Sequence, residues 1–306
     1  MMGRVVAPQW VSPALLRRWQ LPPMDAQADK VARGTVLIVA GSTEVPGAAI
    51  LAGVAALRAG AGRLVVAVPR SIAIAVAPHL PEARVVGLPA SPDGRLAANA
   101  SRRLAQLART ADTLLVGPGM VQSDKLPAVV KSLAERFATM PIALDAAALE
   151  AAPPGLRRGE SPRVVLTPHA GEMAKMLRVE RSSIEANQVE FAQRAARTYS
   201  AVVVLKAATT IIALPDGAVW MHKGDIAGLA TSGSGDVLAG LIAGLLARGA
   251  AAEQAAVWGV ALHGLAGRSL ARRSGPVGFL AREIAGEIPT LLRNLARRPK
   301  RIGTRA

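Results

Sequence analysis

GTVLIVAGSTEVPGAAILAGVAALRAGAGRLVVAVP, residues 34–69, decides the fold class. A continuous β-branched and aliphatic run, Val36–Ala40, passes through Gly41, Ser42 and Pro46 into an Ala/Leu-rich segment of helical length, Ala48–Ala59, and a second apolar run follows at Leu64–Val68. Strands without polar alternation are buried on both faces, and two of them joined through a helix form a parallel βαβ unit. The alternation continues outward. Short apolar runs recur at Arg84–Val86, Thr113–Val116, Ile142–Leu144, Val164–Leu166 and Val202–Leu205, with helical compositions at Asn99–Arg109 and Asp124–Ala138. Thr210–Leu214 and Ala218–Met221, split by Pro215-Asp216-Gly217, read as a β-hairpin. Three helices then close the chain, at Asp236–Ala247, Ala251–Ala271 and Phe279–Leu295. This is an α/β protein, a mainly parallel sheet covered on both faces: a three-layer α/β/α sandwich. Residues 1–33 read as an N-terminal arm with a short helix near Pro13–Trp19, residues 34–295 as one catalytic domain, and 296–306 as a basic C-terminal tail.

Composition narrows the function. Of 306 residues 51% are hydrophobic, enough for a core, which excludes whole-chain disorder. There are no cysteines, which excludes a disulfide scaffold, thiol catalysis and cysteine-ligated metal. The mean hydropathy is +0.31, yet the longest uncharged run, Gln254–Gly267, is shorter than the roughly 18 residues a membrane span needs. The N-terminus has no small-residue cleavage site after its apolar stretch, so the chain reads as soluble and intracellular, compatible with the cytoplasm. The net charge of +16 invites a polyanionic partner. Six of the cations (Arg293, Arg297, Arg298, Lys300, Arg301, Arg305) crowd the C-terminus, where they form either a solvated tail or an RNA-binding one. Aromatics are only 3% of the chain, little material for base stacking, so nucleic acid is the weaker reading.

Ligands of open α/β sheets gather at the carboxyl ends of the strands, and five motifs fall there. Ala40–Ala49 carries small residues from a strand into a helix N-terminus, either an ordinary turn or an anion-binding one. Val116-Gly117-Pro118-Gly119-Met120 permits a tight turn and close approach to bare backbone. Thr167-Pro168-His169-Ala170-Gly171-Glu172 puts His169 in a turn facing the cleft, whereas His79, His222 and His263 lack such a context and no zinc-type spacing exists. Lys206, followed by Thr209 and Thr210, stands at a strand end as either a phosphate-contacting or a surface lysine. The fullest motif is Gly228–Gly240. Gly233, Ser234 and Gly235 form an anion hole entering a helix, and Asp236 in its first turn is placed to take a proton from a hydroxyl attacking phosphorus.

A late G-[ST]-G-D at a helix N-terminus resembles the ribokinase-like superfamily. The ordered set of residues 34–69, then VGPGM (116–120), LDAAAL (144–149), VVLTPHAGE (164–172), VVVLKAATTIIALPDG (202–217) and GLATSGSGDVLAGLIAGLLARG (228–249) resembles the ADP-dependent NAD(P)H-hydrate dehydratases over residues 34–295. The resemblance implies a ribokinase-like fold and dehydration of hydrated NADH or NADPH (the S form of NADHX or NADPHX), driven by ADP or ATP with Mg²⁺. It implies that Ala48, Gly119, His169 and Asp236 line the substrate site. It implies that Lys206, Ala207, Ala208, Thr209, Thr210 and Gly235 line the nucleotide site, and it leaves the metal ligands open. It further implies a cytoplasmic homo-oligomer, a tetramer, with Ala251–Ala271 as its candidate interface. An NAD(P)H-hydrate epimerase would be a separate partner, since 33 residues ahead of the first strand are too few for that domain. The chain departs from the family pattern at Ala147, Ala170, Ala207 and Asp225, where Asp, Pro, Gly and Asn are usual. A small-molecule kinase of the same superfamily, acting on a vitamin-precursor alcohol, is the alternative, and Asp236 alone does not separate the two.

Overall fold

The computed structural model describes residues 7–24, 27, 29–97, 99–155 and 162–296. Ten strands form one sheet: β1 (Gln9–Trp10), β2 (Thr35–Val39), β3 (Arg63–Pro69), β4 (Ala83–Leu88), β5 (Thr113–Val116), β6 (Ile142–Leu144), β7 (Val164–Leu166), β8 (Val202–Leu205), β9 (Thr209–Ala213) and β10 (Val219–Lys223). Their spatial order is β1-β10-β9-β8-β7-β6-β5-β2-β3-β4. From β8 across to β4 every neighbouring pair is parallel, and only β9 runs against its neighbours, as the hairpin reading requires.

Period-two side-chain direction divides the sheet residues cleanly between two cores. Val36 and Ile38 face one core and Leu37 and Val39 the other; Ala143 separates from Ile142 and Leu144 in the same way, and Val165 from Val164 and Leu166. Over the first face lie α1 (Pro13–Arg18), α2 (Gly47–Arg58) and α3 (Arg70–Val76), together with the three C-terminal helices α10 (Ser234–Ala247), α11 (Ala252–Ser274) and α12 (Ala281–Ala296). Over the second lie α4 (Ala100–Ala108), α5 (Leu126–Arg136), α6 (Ala147–Glu150), α7 (Ala170–Leu177), α8 (Arg181–Ala186) and α9 (Gln188–Tyr199). The three-layer architecture is the expected one.

Chain direction across the sheet reverses between β2 and β5. β2, β3 and β4 progress one way, and β5 to β8 progress the other. At such a switch point the loops after the two strands part and leave a crevice. Those loops are two of the five motifs, and they are tied together: Gly41 donates its amide to the Pro118 carbonyl at 2.8 Å, and Gly117 to Val39 at 3.1 Å.

The arm is more deeply built in than its sequence suggested. β1 adds to the sheet beside β10, and Ser12 caps α1 through its hydroxyl. Leu16 is fully buried, Trp19 stacks on Trp220 at 5.5 Å, and Trp258 donates its indole N–H to the Trp19 carbonyl. The short β1 has no apolar periodicity of its own, so its strand character comes from the β10 edge it covers. Of the six C-terminal cations, Arg293 lies in α12; Arg297, Arg298, Lys300, Arg301 and Arg305 lie outside the described residues. If the arm belongs to the core, Leu16→Ala should lower unfolding free energy by about 2–4 kcal/mol in urea titrations. An arm that is only appended would leave the midpoint unchanged.

Candidate active site

Three adjacent strands, β6, β7 and β8, end in polar residues that meet. Asp145, just past β6, is buried at 2% exposure. Thr167, just past β7, donates its hydroxyl to Asp145 Oδ1 at 2.7 Å, and Lys206, just past β8, places Nζ 2.9 Å from the same oxygen. Glu172 Oε2 lies 3.7 Å from the ammonium. Burial works against the charge on Lys206, but Asp145, Glu172 and Asp236 outweigh it and hold the pKa above the ordinary lysine value. Lys206 is therefore a fixed cation.

His169 opens α7 as its N-cap. Its Nδ1 accepts the amides of Gly171 and Glu172 at 3.0 and 3.2 Å, and Glu172 Oε2 accepts the His169 amide at 2.8 Å. This capping box satisfies orphan donors of the helix and leaves the ring's proton on Nε2 in the neutral form. Ala170, where the family usually has Pro, starts the helix without it. His169 and Lys206 lie side by side through a parallel bridge, so the motifs that follow β7 and β8 sit at neighbouring strand ends.

The glycine-rich loop enters α10 with Gly233 at φ +86°, and a Cβ there would also stand 2.5 Å from Leu51 of α2. Any other residue would be strained at that φ and would have to displace the end of the Leu51 side chain. The Ser234 amide turns back to the Thr231 carbonyl at 3.2 Å, whereas Gly235 and Asp236 occupy first-turn positions that have no intrahelical acceptor. Lys206 Nζ lies 3.5 Å from where a Gly235 Cβ would be, so the lysine charge and the helix N-terminus converge on one spot. Asp236 stands beside it. Burial raises its pKa to about 6; Asp145 adds to the rise, and Lys206 opposes it.

A cavity of about 830 Å³ opens from this point, lined by Lys206, Ala207, Ala208 and Thr210 on one side and by Thr231, Ser234 and Gly235 on another. His169 is at its rim. Thr209 is turned away: it lines a separate groove of about 700 Å³ with Ile211 and Met221, because successive residues of β9 face opposite sides of the sheet. Ala48 and Gly119 meet each other across the switch point, where Gly119 at φ +64° brings its backbone so close that a Cβ would stand 2.5 Å from that of Ala48. Ala48 is buried, so what this corner offers a ligand is backbone and shape.

Sequence reasoning passed over Asp145, Thr167, Glu172, His222 and His263. Asp145 follows an apolar strand directly, and a carboxylate at a strand's carboxyl end was the available signal. His222 and His263 both line the cavity. Burial lowers the pKa of His263 to about 4, and burial and Arg268 depress that of His222. Asp225 pairs with Arg268 at 3.1 Å, which offsets the extra negative charge at the cavity edge.

A sheet with its switch point at glycine turns, and an aspartate and a lysine against a helix N-terminus, define a ribokinase-like protein. Solved structures agree. An ADP/ATP-dependent NAD(P)H-hydrate dehydratase from Bacillus subtilis, co-crystallized with ATP/Mg²⁺, superposes with a TM-score of 0.80 at 31% identity, over 94% of this chain and 99% of that one. A ribokinase-like superfamily protein from Enterococcus faecalis gives 0.80 at 26% identity, over 94% of this chain and 96% of the other. A family model described as NAD(P)H-hydrate dehydratase matches residues 36–290, and the chain belongs to that family. An ADP-dependent (S)-NAD(P)H-hydrate dehydratase from Xanthomonas campestris is 46% identical, over 94% of this chain and 97% of its own length. A bifunctional NAD(P)H-hydrate repair enzyme from Moorella thermoacetica is 40% identical over 91% of this chain, which spans 53% of that relative.

The raised pKa of Asp236 sets a stability signature. Its carboxyl titrates near 3.8 when unfolded and about 6 when folded, so it carries no penalty below pH 4. The penalty grows as pH rises from about 4 to 6 and is constant above. Asp236→Asn should therefore stabilise the fold at pH 7–8 by on the order of 1–2 kcal/mol after allowance for solvent screening, and by nothing at pH 3.5. Calorimetric melting across this range checks the crossover.

Proposed function

We propose that this chain dehydrates hydrated NADH and NADPH at the expense of ADP, with the S form of the hydrate as substrate. The observation that carries the reading is the convergence of Asp236, Lys206 and the α10 N-terminus, within a fold and family shared with ADP-dependent (S)-NAD(P)H-hydrate dehydratases. The nucleotide occupies the 830 Å³ cavity, with Lys206, Ala207, Ala208, Thr210 and Gly235 around it. Its terminal phosphoryl group rests at the Gly235 and Asp236 amides, where helix dipole and lysine both favour an anion. The reduced dinucleotide lies toward Ala48, Gly119 and His169, so that its ring hydroxyl reaches Asp236. In this reading ATP is an alternative phosphoryl donor.

Asp236 takes the proton of the C6 hydroxyl, whose oxygen attacks the β-phosphorus of ADP and releases AMP. Amide donors and Lys206 stabilise the charge on the transferring group. The resulting phosphate ester is a far better leaving group than hydroxide. The ring nitrogen's lone pair expels it from C6 as inorganic phosphate, a C5 proton passes to water, and the dihydronicotinamide is restored. With its Nδ1 taken up by the helix cap, His169 keeps Nε2, 3.6 Å from Glu172 Oε2, as the ring nitrogen free to meet a phosphate or carboxamide of the substrate.

Mg²⁺ fits this donor set. It binds through one or two carboxylates, substrate phosphates and retained waters, and Asp145 and Glu172 supply hard oxygens beside the phosphoryl position. No cluster of three or more His, Cys, Asp or Glu ligands exists among the described residues, so the nucleotide would complete the shell. The ion would neutralise phosphate charge. A homotetramer and an epimerase partner acting on the other hydrate form belong to the same proposal. No helix among the described residues is long and apolar enough to cross a membrane.

Recovery of the near-ultraviolet absorbance of reduced nicotinamide from hydrated NADH, with ADP and Mg²⁺, tests the reading. Turnover should appear with wild type and vanish in Asp236→Asn, which should still bind ADP. Failure of the wild type, alongside phosphorylation of a vitamin-precursor alcohol, would assign a kinase instead. Because the base must be ionised, kcat/KM should fall tenfold per pH unit below about pH 6. A flat profile down to pH 4.5 would remove Asp236 from that role.

A further inference from the structure

His263 projects from α11 to the first residue of α10. Its Nε2 lies 2.9 Å from Ser234 Oγ and 3.1 Å from the Ser234 carbonyl oxygen. A carbonyl only accepts, so this contact puts the ring's proton on Nε2. The nearby hydroxyl oxygen then also accepts from Nε2–H, and the serine's own hydrogen is left free to be donated elsewhere. Ser234 is buried at 5% exposure and lines the cavity beside Gly235; its hydroxyl's one side-chain partner among the described residues is His263 Nε2, so with Nε2 protonated no protein acceptor there takes that hydrogen. Burial pushes the pKa of His263 to about 4, so the ring is neutral wherever Asp236 is ionised.

The Ser234 amide, meanwhile, is withdrawn from the anion site into the turn with Thr231. The backbone at this residue is spent on holding the loop, and its side chain is the donor that remains. We propose that His263 is a positioning residue for phosphoryl transfer: by donating to Ser234 it turns the serine hydroxyl into a donor aimed at the phosphoryl oxygens at the α10 N-terminus. Ser234 thereby replaces with its side chain the donor its amide does not supply. The proposal rests on the phosphoryl-transfer reading given above.

The variants Ser234→Ala, His263→Leu, His263→Gln and the double variant Ser234→Ala/His263→Leu test it, with kcat and the KM for ADP measured in the hydrate-recovery assay and melting measured in parallel. Ser234→Ala should lose roughly 10- to 100-fold in kcat with KM for ADP within about threefold, as expected for a donor that matters in the transition state. His263→Leu should lose a similar factor. The double variant should be no worse than Ser234→Ala by more than about threefold, because both act through one hydroxyl. His263→Gln, whose amide N–H can stand where Nε2–H stood, should recover most of the loss.

A purely structural His263 gives another pattern. His263→Leu would then lower the melting temperature without changing kcat of the folded enzyme, or the losses would multiply in the double variant; either result overturns the proposal. Should His263→Leu fail to fold, Ser234→Ala decides alone, and an unchanged kcat there overturns it. A wild-type chain without turnover removes the underlying reading as well, whereas wild-type turnover with unaffected variants removes this proposal only.

Discussion

Lys206 and Asp145, 2.9 Å apart, hold together what the rest of the site depends on. A buried ion pair contributes little net stability, since desolvation consumes most of the Coulomb gain. Its value here is positional. It joins the ends of β6 and β8 across β7, whose Thr167 completes the link, and so fixes three strand ends relative to one another. The pair also sets the chemistry next door. Burial raises the Asp236 pKa, Asp145 adds to the rise and Lys206 restrains it, leaving a carboxylate that is ionised at neutral pH yet basic enough to take a proton.

Topology delivers the second half of the site. The reversal between β2 and β5 opens a crevice next to the packed pair α2 and α10, and close helix approach is possible because Gly240 and Gly244 present no side chains to the α2 backbone at Ala52 and Ala56. The N-terminus of α10 is thereby held at a fixed height above the strand ends. In the proposed function, a dinucleotide substrate approaching from the switch point and a nucleotide approaching from the β9–β10 side meet at Asp236. The strongly basic composition suits two ligands that both carry phosphates, and the shortage of aromatics takes nothing from a site built of glycine, small residues and a few charges.

Much of this was legible in the sequence because the signals are local. The buried strands declare themselves as apolar runs, the hairpin by Pro215-Asp216-Gly217, and the start of α10 by a glycine-flanked serine before Asp236. What was not legible is non-local. β1 is a strand only because β10 offers an open edge, and α6 to α8 are too short for a helical period to show. Asp145 gains its role from partners 22 and 61 residues away. His263 lies in an alanine-rich helix and gains meaning only where α11 crosses the start of α10. Thr209 and Thr210 look equivalent as sequence, yet the pleat sends them to opposite faces.

The fate of the hydroxyl oxygen is the most direct test of the central claim. Hydrated NADH labelled with ¹⁸O at the C6 hydroxyl is turned over with ADP, and the inorganic phosphate is examined by mass spectrometry. Phosphorylation followed by elimination transfers that oxygen to phosphate, so one ¹⁸O per phosphate is the predicted result. Label released as water, with unlabelled phosphate, would contradict it.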